Sequence, residues 1–410
     1  MSILPPQRAI SIFLVFAFAY FLSTLVRAIT ATLAPTLVAE FSLNARDLGL
    51  LAGGYFLGFA ATQLPLGNWL DRFGPKKVVL WFLTIAVVGS VAFSQASSFA
   101  GLLAARVLIG VGVSACLMAP LTGYRRWFDP VNMMRSNSWM LMVGSLGMVA
   151  STLPVQWLIS FTGWRSIFLG LAVLVALAMA LIALKVPAWA ETDAAAAAAV
   201  AAPGVAPGYA EVWRNPYFRK MVPLGFVNYG GMLAMQTLWA APWMVKVAGY
   251  TPSQAAMGLF WINVGMLVTF FLWGTANPML ARKGYSAERL IRYGMPVSLG
   301  VLATIVIAGD AISAWASGIW LLFFVCSTLG SQMQPAVGMA FRPELAGRAL
   351  SAFNLVIFAG VFTVQWGIGL LIDGFRSVGF EEIPSFQSAL GVYGMCCLGA
   401  YLYFLAAKKP

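Results

Sequence analysis

The sequence predicts an all-α membrane protein with twelve transmembrane helices in two six-helix bundles and both termini in the cytoplasm. Of its 410 residues, 61% are hydrophobic and 9% are charged, and the mean hydropathy is +0.85. The apolar residues fall into separate runs of about 20 residues, the length that a helix needs to cross a bilayer. Because one soluble core cannot bury this much apolar surface, the composition excludes a soluble enzyme.

The apolar runs form two sets of six, separated by a stretch rich in alanine. The predicted spans are 9–36, 47–68, 77–96, 99–124, 136–160, 165–186, 217–245, 253–276, 286–309, 314–338, 348–373 and 386–407. The alanine-rich stretch contains Pro203 and Gly204, a composition typical of a linker. We therefore expect an N-terminal bundle over 1–186, a cytoplasmic linker over 187–215 and a C-terminal bundle over 216–410.

Positive charge assigns the two sides of the membrane, since cytoplasmic loops carry an excess of Lys and Arg. The predicted outer loops contain only a few of the 25 Lys and Arg residues, namely Arg46, Arg165, Lys246 and Arg376. Both termini are therefore predicted on the cytoplasmic side, and the short loops are typical of a bacterial inner-membrane protein. The net charge of +12 does not indicate a nucleic-acid partner, because the basic residues separate apolar runs instead of clustering.

The cysteines indicate neither redox chemistry nor a metal site. Cys116, Cys326, Cys396 and Cys397 all lie inside apolar runs, where cysteine acts as a small core residue. Their spacing is not that of a metal site, and their positions do not suit disulfide bonds. The sequence predicts no metal and no cofactor.

The loop between the second and third spans carries the most specific motif of the chain. It reads Gly67-Asn68-Trp69-Leu70-Asp71-Arg72-Phe73-Gly74-Pro75-Lys76-Lys77. Gly67 is expected to allow close helix approach and Gly74 a tight turn, while Asp71 suits a positive helix N-terminus. We predict that Gly67, Asp71, Arg72 and Gly74 form a gate; the alternative is an ordinary hairpin loop.

This loop resembles the signature of the major facilitator superfamily, Gly-x-x-x-Asp-Arg-x-Gly-x-Lys/Arg-Lys/Arg, at every defining position. Helix 4 contributes a second resemblance, Leu102-x-x-x-Arg106-x-x-x-Gly110-x-Gly112. In the second half the repeat of the first motif is degenerate, reading Gly274-Thr275-Ala276-Asn277-Pro278-Met279-Leu280-Ala281-Arg282-Lys283. The resemblance implies two bundles that rock around a central site lined by helices 1, 4, 7 and 10. The degenerate repeat assigns the cytoplasmic lock mainly to Asp71 and Arg72.

A polar stripe on helix 1 is the main candidate for a binding site. At helical spacing, one face carries Tyr20, Ser23, Thr24, Arg27 and Thr30. An arginine within a span is costly, so Arg27 is a functional candidate. The alternative is that Arg27 reaches the membrane surface with its long side chain. Arg106 is a weaker candidate, because the arginine of its motif has a structural role in many relatives.

Further candidates are uncharged donors and aromatic side chains on helices 4, 7 and 10. They are Tyr124, Tyr229, Gln236, Trp239 and Gln334. Hydrogen bonds between helices explain Gln236 and Gln334 equally well. All five stay candidates for solute binding.

The positions of the acidic residues bear on whether protons take part in the function. Each of the 13 Asp and Glu residues falls in a loop or at a helix end, and the sequence has no histidine. A proton relay in the bundle core is therefore not expected. Because Arg27 has no evident acidic partner, the solute itself is expected to bring the negative charge.

The leading prediction is therefore a secondary transporter of a small organic anion that works by alternating access, as exchanger, uniporter or symporter. One alternative is export of drug-like or siderophore-like hydrophobic compounds, favoured by the 14% aromatic residues. The other is a membrane sensor without transport activity, although the only long soluble segment is the linker. The expected partners are a small-molecule solute and the lipid bilayer, with the protein acting as a monomer.

Overall fold

Every regular element in the described part of the chain is helical. The structure is a computed structural model that describes residues 4–128, 130–188 and 208–407. Eight helical stretches in these ranges are long and apolar enough to cross a membrane. The prediction of an all-α membrane protein is confirmed at this level. Pro203 and Gly204 of the predicted linker lie outside the described residues.

Within the described residues, the N-terminal half contains seven helices. They are α1 Pro6–Phe41, α2 Ala45–Ala61, α3 Gln63–Gln95, α4 Phe99–Val113, α5 Ala115–Trp127, α6 Pro130–Ala150 and α7 Leu153–Lys185. Two glycines with positive φ bend the chain within long helices: Gly74 in α3, with φ 77°, and Gly163 in α7, with φ 73°. Glycine adopts this conformation at little cost because it has no Cβ. The two bends fall between the predicted spans 47–68 and 77–96, and between 136–160 and 165–186.

From residue 208 to residue 407, the structure shows ten further helices. They are α8 Tyr209–Arg214, α9 Pro216–Pro223, α10 Gly230–Ala234, α11 Ala240–Lys246, α12 Pro252–Arg282, α13 Ala287–Ala308, α14 Ala316–Ser327, α15 Met333–Met339, α16 Pro343–Ser377 and α17 Glu382–Ala406. The π-helical segments Leu224–Tyr229 and Met235–Trp239 join α9 to α11. The 3₁₀ segments Gly309–Trp315 and Thr328–Gln332 flank α14.

The bundle presents two faces, one near Arg46 and one near Arg72. The Arg46 face is the face at which α1 ends and α2 begins, and the Arg72 face carries the loop motif Gly67–Lys77. Asn44 starts α2 on the Arg46 face, where its side chain accepts a hydrogen bond from the Asp47 backbone N–H at 2.8 Å. Such a cap satisfies one of the free N–H groups at the start of a helix.

The two halves meet closely along α2 and α16. A Cβ at Gly49 of α2 would collide with the carbonyl oxygen of Gln365, and a Cβ at Gly369 of α16 would collide with the carbonyl oxygen of Ala45. Small residues at such positions let two helix backbones approach each other in a membrane. Glycine therefore sets the contact between the halves at the Arg46 face.

A carboxylate from the C-terminal half closes the same contact. Asp373 of α16 accepts hydrogen bonds from the backbone N–H of Ala45 at 3.2 Å and of Arg46 at 2.7 Å. These N–H groups belong to the first turn of α2, where the helix dipole favours negative charge. Asp373 thus caps a helix of the opposite half.

Candidate functional site

Arg27 lies at the boundary between the two halves. Its guanidinium carbon is 5.3 Å from the ring centre of Phe59 in α2 and 5.5 Å from that of Phe358 in α16. The two rings contact each other, with centroids 4.4 Å apart. Its Nε is buried and has no hydrogen-bond partner in the described part of the protein. Each half of the protein therefore contributes one aromatic ring that packs against the Arg27 guanidinium.

Three tyrosines lie within electrostatic range of this arginine. Tyr20, Tyr55 and Tyr229 all interact electrostatically with Arg27, and they belong to α1, α2 and the π-helical segment after α9. The Tyr55 hydroxyl also donates to the carbonyl oxygen of Ser23 at 3.3 Å. Gly144 of α6 packs against the Tyr20 ring, where a Cβ would lie 2.5 Å from Cε1. Tyr20 and Tyr229, two of the residues predicted to bind the solute with Arg27, thus lie near it; that they bind a solute stays a prediction.

Arg106 contacts the backbone of α1 directly before Arg27. The residue is 1% exposed, its Nη1 donates to the carbonyl oxygen of Val26 at 3.1 Å, and its guanidinium carbon is 5.3 Å from the Tyr55 ring centre. Its Nε and Nη2 are buried without hydrogen-bond partners among the described residues. Tyr55 therefore contacts both arginines.

Neither arginine is paired with a carboxylate in the part of the chain that the structure describes. The ion pairs found there include Arg46–Asp47, Arg165–Glu40, Lys220–Glu288, Lys246–Glu382 and Arg342–Glu211. No group of His, Cys, Asp and Glu side chains within the described ranges could hold a metal ion. The site is thus a cluster of two cations and three phenols between aromatic rings.

Thr24 shares the buried side of α1 but its hydroxyl bonds within its own helix. Its Oγ1 donates to the carbonyl oxygens of Tyr20 and Phe21, at 3.2 and 3.0 Å. A Cβ at Gly147 of α6 would collide with this Oγ1. The observed contacts of Thr24 are therefore those of helix packing.

Three candidates of the C-terminal half connect helices to one another. The Gln236 side chain donates to Asn263 Oδ1 at 2.7 Å, and the Trp239 Nε1 donates to the Gln365 carbonyl oxygen at 3.0 Å. Gln334 donates to the Asn354 side chain. These bonds agree with the alternative of hydrogen bonding between helices. Among these candidates and Tyr229, only Tyr229 interacts with Arg27.

Tyr124 lies away from the arginines. It stacks on Phe128, with ring centroids 4.6 Å apart, and packs against Phe13 and Phe16 of α1. Phe16 precedes Arg27 by eleven residues, which corresponds to about 16 Å along a helix axis. The structure therefore does not bring Tyr124 to the cluster around Arg27.

The loop motif on the Arg72 face agrees with its predicted geometry only in part. The positive φ of Gly74 forms the expected turn. At Gly67 the expectation was wrong: no heavy atom lies within 4 Å of a Cβ built there, so this glycine does not permit a close helix approach. Asp71 and Arg72 are exposed, and the Arg72 guanidinium lies over the Phe73 ring at 5.1 Å.

The sequence did not reveal four residues that shape this region. Tyr55, Phe59 and Phe358 sit in apolar runs without a distinctive spacing, and only their packing against the arginines marks them. Asp373 was visible as an acid at a helix end, but its partner on α2 is more than 300 positions away in the chain.

Comparisons with known proteins agree with the fold. A sequence model described as the Major Facilitator Superfamily matches residues 16–364. The Cupriavidus necator protein named "Probable sulfoacetate transporter SauU" is 24% identical over 325 residues, covering 72% of each chain. The Escherichia coli (strain K12) protein named "Probable L-galactonate transporter" is 23% identical over 406 residues, covering 92% of this chain and 84% of that one. The solved structure of a D-xylose-proton symporter matches with a TM-score of 0.78 at 16% identity, over 98% of both chains.

Proposed function

We propose that this chain, which belongs to the Major Facilitator Superfamily and is a membrane transporter, carries a small organic anion across the membrane by alternating access. The names of two relatives support the substrate class, since sulfoacetate and L-galactonate are both organic anions. Family membership alone does not select a substrate, because one fold serves many functions. The choice of an anion therefore rests on the site.

The observation that carries the proposal is that neither the buried Arg106 nor the partly buried Arg27 has an acidic partner among the described residues. Removing a charge from water is costly unless another charge and hydrogen bonds compensate for it. Arg27 and Arg106 both keep buried N–H groups without partners in the described part of the protein. A solute carboxylate, sulfonate or phosphate supplies the missing negative charge and accepts these hydrogen bonds.

The residues divide into three proposed roles. Arg27 binds the anionic group, with Tyr20, Tyr55 and Tyr229 as hydroxyl donors around it. Arg106 adds positive potential from behind Tyr55. Gln236, Trp239 and Gln334 hold the C-terminal helices in place, while Tyr124 and Thr24 support the packing of α1.

The same proposal includes the twelve-helix organisation. In this organisation α2 and the start of α3 together form one membrane crossing. The bends at Gly74 in α3 and Gly163 in α7 separate one crossing from the next. The two bundles then comprise 1–186 and 216–410, with the linker 187–215 between them. Both termini lie in the cytoplasm of a bacterial cell, and the transporter acts as a monomer in the inner membrane.

Alternating access requires each face to open in turn. On the Arg46 face, opening separates α2 from α16 and breaks the hydrogen bonds of Asp373. On the Arg72 face, Asp71, Arg72 and the Gly74 turn form the proposed gate. Phe59 and Phe358 close over Arg27 from opposite halves, so the same movement uncovers the cation.

Thermal unfolding of the purified protein tests the substrate class. A ligand that binds the folded state raises the unfolding temperature in a concentration-dependent way. We expect stabilisation by sulfoacetate, galactonate or inorganic phosphate and none by neutral analogues such as galactose. Equal stabilisation by neutral and anionic analogues contradicts the proposal.

A second candidate function, export of hydrophobic compounds, is favoured by a cavity on the Arg46 face. The cavity has a volume of about 170 Å³ and a mostly apolar lining that includes Ala34, Leu48, Trp239 and Phe386. Arg27 is not part of this lining. If the second function holds, aromatic cations stabilise the protein and the Arg27→Gln variant binds them as well as the wild type does.

A further inference from the structure

We infer that the transporter is an anion exchanger, in which the solute site passes between the two faces rapidly only when it holds an anion. The inference rests on the proposed function, because it assumes that the site around Arg27 binds an anion. It adds the choice between exchange, uniport and symport, which neither the fold nor the substrate class determines.

The site concentrates two fixed positive charges in a small volume. Arg106 donates to the carbonyl oxygen of Val26, the residue directly before Arg27, and Tyr55 contacts both guanidinium groups. Arginine keeps its charge in proteins. Like charges repel strongly where water is excluded, because the effective dielectric constant is low there.

In the part of the chain that the structure describes, neither arginine forms an ion pair with a carboxylate. Among the described residues, the acid nearest to Arg27 along α1 is Glu40, thirteen residues away, or about 20 Å along the helix axis. Glu40 is already engaged, because it accepts hydrogen bonds from Trp164 Nε1 at 2.7 Å and Arg165 Nη1 at 2.5 Å. The cations therefore depend on a negative charge from outside the described protein.

Because the site is closed off from water during the transition between faces, the missing negative charge affects how fast the carrier moves. Between the two open states the site must be sealed on both sides, and the rings of Phe59 and Phe358 already lie against Arg27 from opposite halves. A carrier without an anion passes through this sealed state with two uncompensated cations, which raises its free energy. A carrier with a bound oxyanion has its charge balanced and its free N–H groups satisfied. Movement with the anion is thus faster than movement without it.

A co-transported cation does not solve the problem. A proton or metal ion entering the site adds positive charge, and the chain has no histidine to receive a proton. Exchange needs no such ion, because each direction of movement carries an anion. The charge pattern therefore favours exchange over symport with a cation.

The test compares exchange with net uptake in proteoliposomes that contain the purified wild-type protein. Binding in detergent first selects the probe from sulfoacetate, galactonate and inorganic phosphate; failure of all three to bind contradicts the proposed function itself. Labelled probe is then added to vesicles that contain either the same unlabelled probe or sorbitol, with potassium and valinomycin clamping the membrane potential. We expect uptake at least tenfold faster into probe-loaded vesicles. Binding together with equal rates overturns the exchange inference and leaves the proposed function standing.

A variant at Cys116 tests the physical cause. Cys116 is 1% exposed and lies within electrostatic range of Arg27, so Cys116→Asp introduces a carboxylate within the same range of that cation. We expect the ratio of exchange to net uptake to fall to within about threefold, because the protein then balances part of its own charge. The matched control Cys116→Asn adds a similar volume without charge and is expected to keep the wild-type ratio. Equal ratios in the Asp and Asn variants contradict the electrostatic explanation, and the wild-type comparison remains decisive if the Asp variant does not fold.

Discussion

Arg27 provides the most direct test of anion recognition, because charge and geometry can be changed separately. Arg27→Lys keeps a positive charge but loses the planar fork that binds an oxyanion through two N–H groups. Arg27→Gln removes the charge. Loss of a charge-assisted contact in a site without water is worth about 2–4 kcal/mol, or roughly thirty- to a thousandfold in affinity. We expect Arg27→Gln to lie in this range and Arg27→Lys to bind weakly.

The same substitutions have a smaller effect on folding. Two aromatic rings contact Arg27, and each cation–π contact contributes about 0.5–2 kcal/mol. Against this loss, Arg27→Gln also removes the cost of a buried cation without an acidic partner. The net change in unfolding free energy is therefore expected to be small compared with the loss of binding.

Dissociation constants of the anion probe in detergent, measured by calorimetry, provide the assay. Arg46→Gln is the matched control, since Arg46 is an arginine with 53% of its side chain exposed, on the Arg46 face. The control is expected to bind like the wild type. If both Arg27 variants bind within about threefold of the wild type, Arg27 does not bind the solute and the main ground for an anion carrier is lost.

Four further predictions concern the interface, the gates and the pH dependence. Gly369→Ala should lower the thermal unfolding temperature, since overpacking costs about 1–3 kcal/mol, whereas the control Gly367→Ala meets open space and should not. Asp373→Asn removes the charge that caps α2, a contribution of about 0.3–1 kcal/mol. It should increase the thiol labelling of a cysteine placed at Leu48, and unchanged labelling contradicts the role of Asp373 in holding α2 and α16 together. Asp71→Ala should slow transport in vesicles without reducing membrane insertion, and wild-type turnover would refute the gate on the Arg72 face. The transport rate of a permanently ionised sulfonate should not change between about pH 5.5 and 8, because no histidine or carboxylate lies beside Arg27 in the described chain. Proton uptake coupled to transport of this sulfonate would contradict the prediction.

The sequence predicts the helices well because bilayer thickness constrains each apolar run independently of its neighbours. The predicted span 253–276 lies within α12, Pro252–Arg282, and the predicted span 386–407 nearly coincides with α17, Glu382–Ala406. The Gly74 turn was also predictable, since glycine is the residue that adopts positive φ at little cost. Each of these predictions depends on local chemistry alone.

Contacts between helices could not be predicted in the same way. Gly67 and Gly49 are both glycines in apolar surroundings, yet only Gly49 packs against the backbone of another helix. Gly49 lies in α2 and Gly67 in α3. Which of them packs closely depends on how each helix is turned towards its neighbours, and nothing in the local sequence fixes that orientation. The same limit applies to Phe59 and Phe358, which look like lipid-facing residues until the two halves are brought together.

The distribution of polar contacts suggests that the two faces are closed by different means. On the Arg46 face the closure joins backbone to backbone through Gly49 and Gly369, with Asp373 satisfying the first N–H groups of α2. On the Arg72 face the predicted gate residues Asp71 and Arg72 are exposed charged side chains, and exposed charges contribute little to stability. Closure of the Arg46 face therefore depends on fitting two helices together, whereas the gate proposed on the Arg72 face would use charged side chains at the protein surface. Under the proposed function, an anion bound to Arg27 would lie between these contacts and share its aromatic walls with both halves, so its negative charge would lower the free energy of the state in which Phe59 and Phe358 close over it.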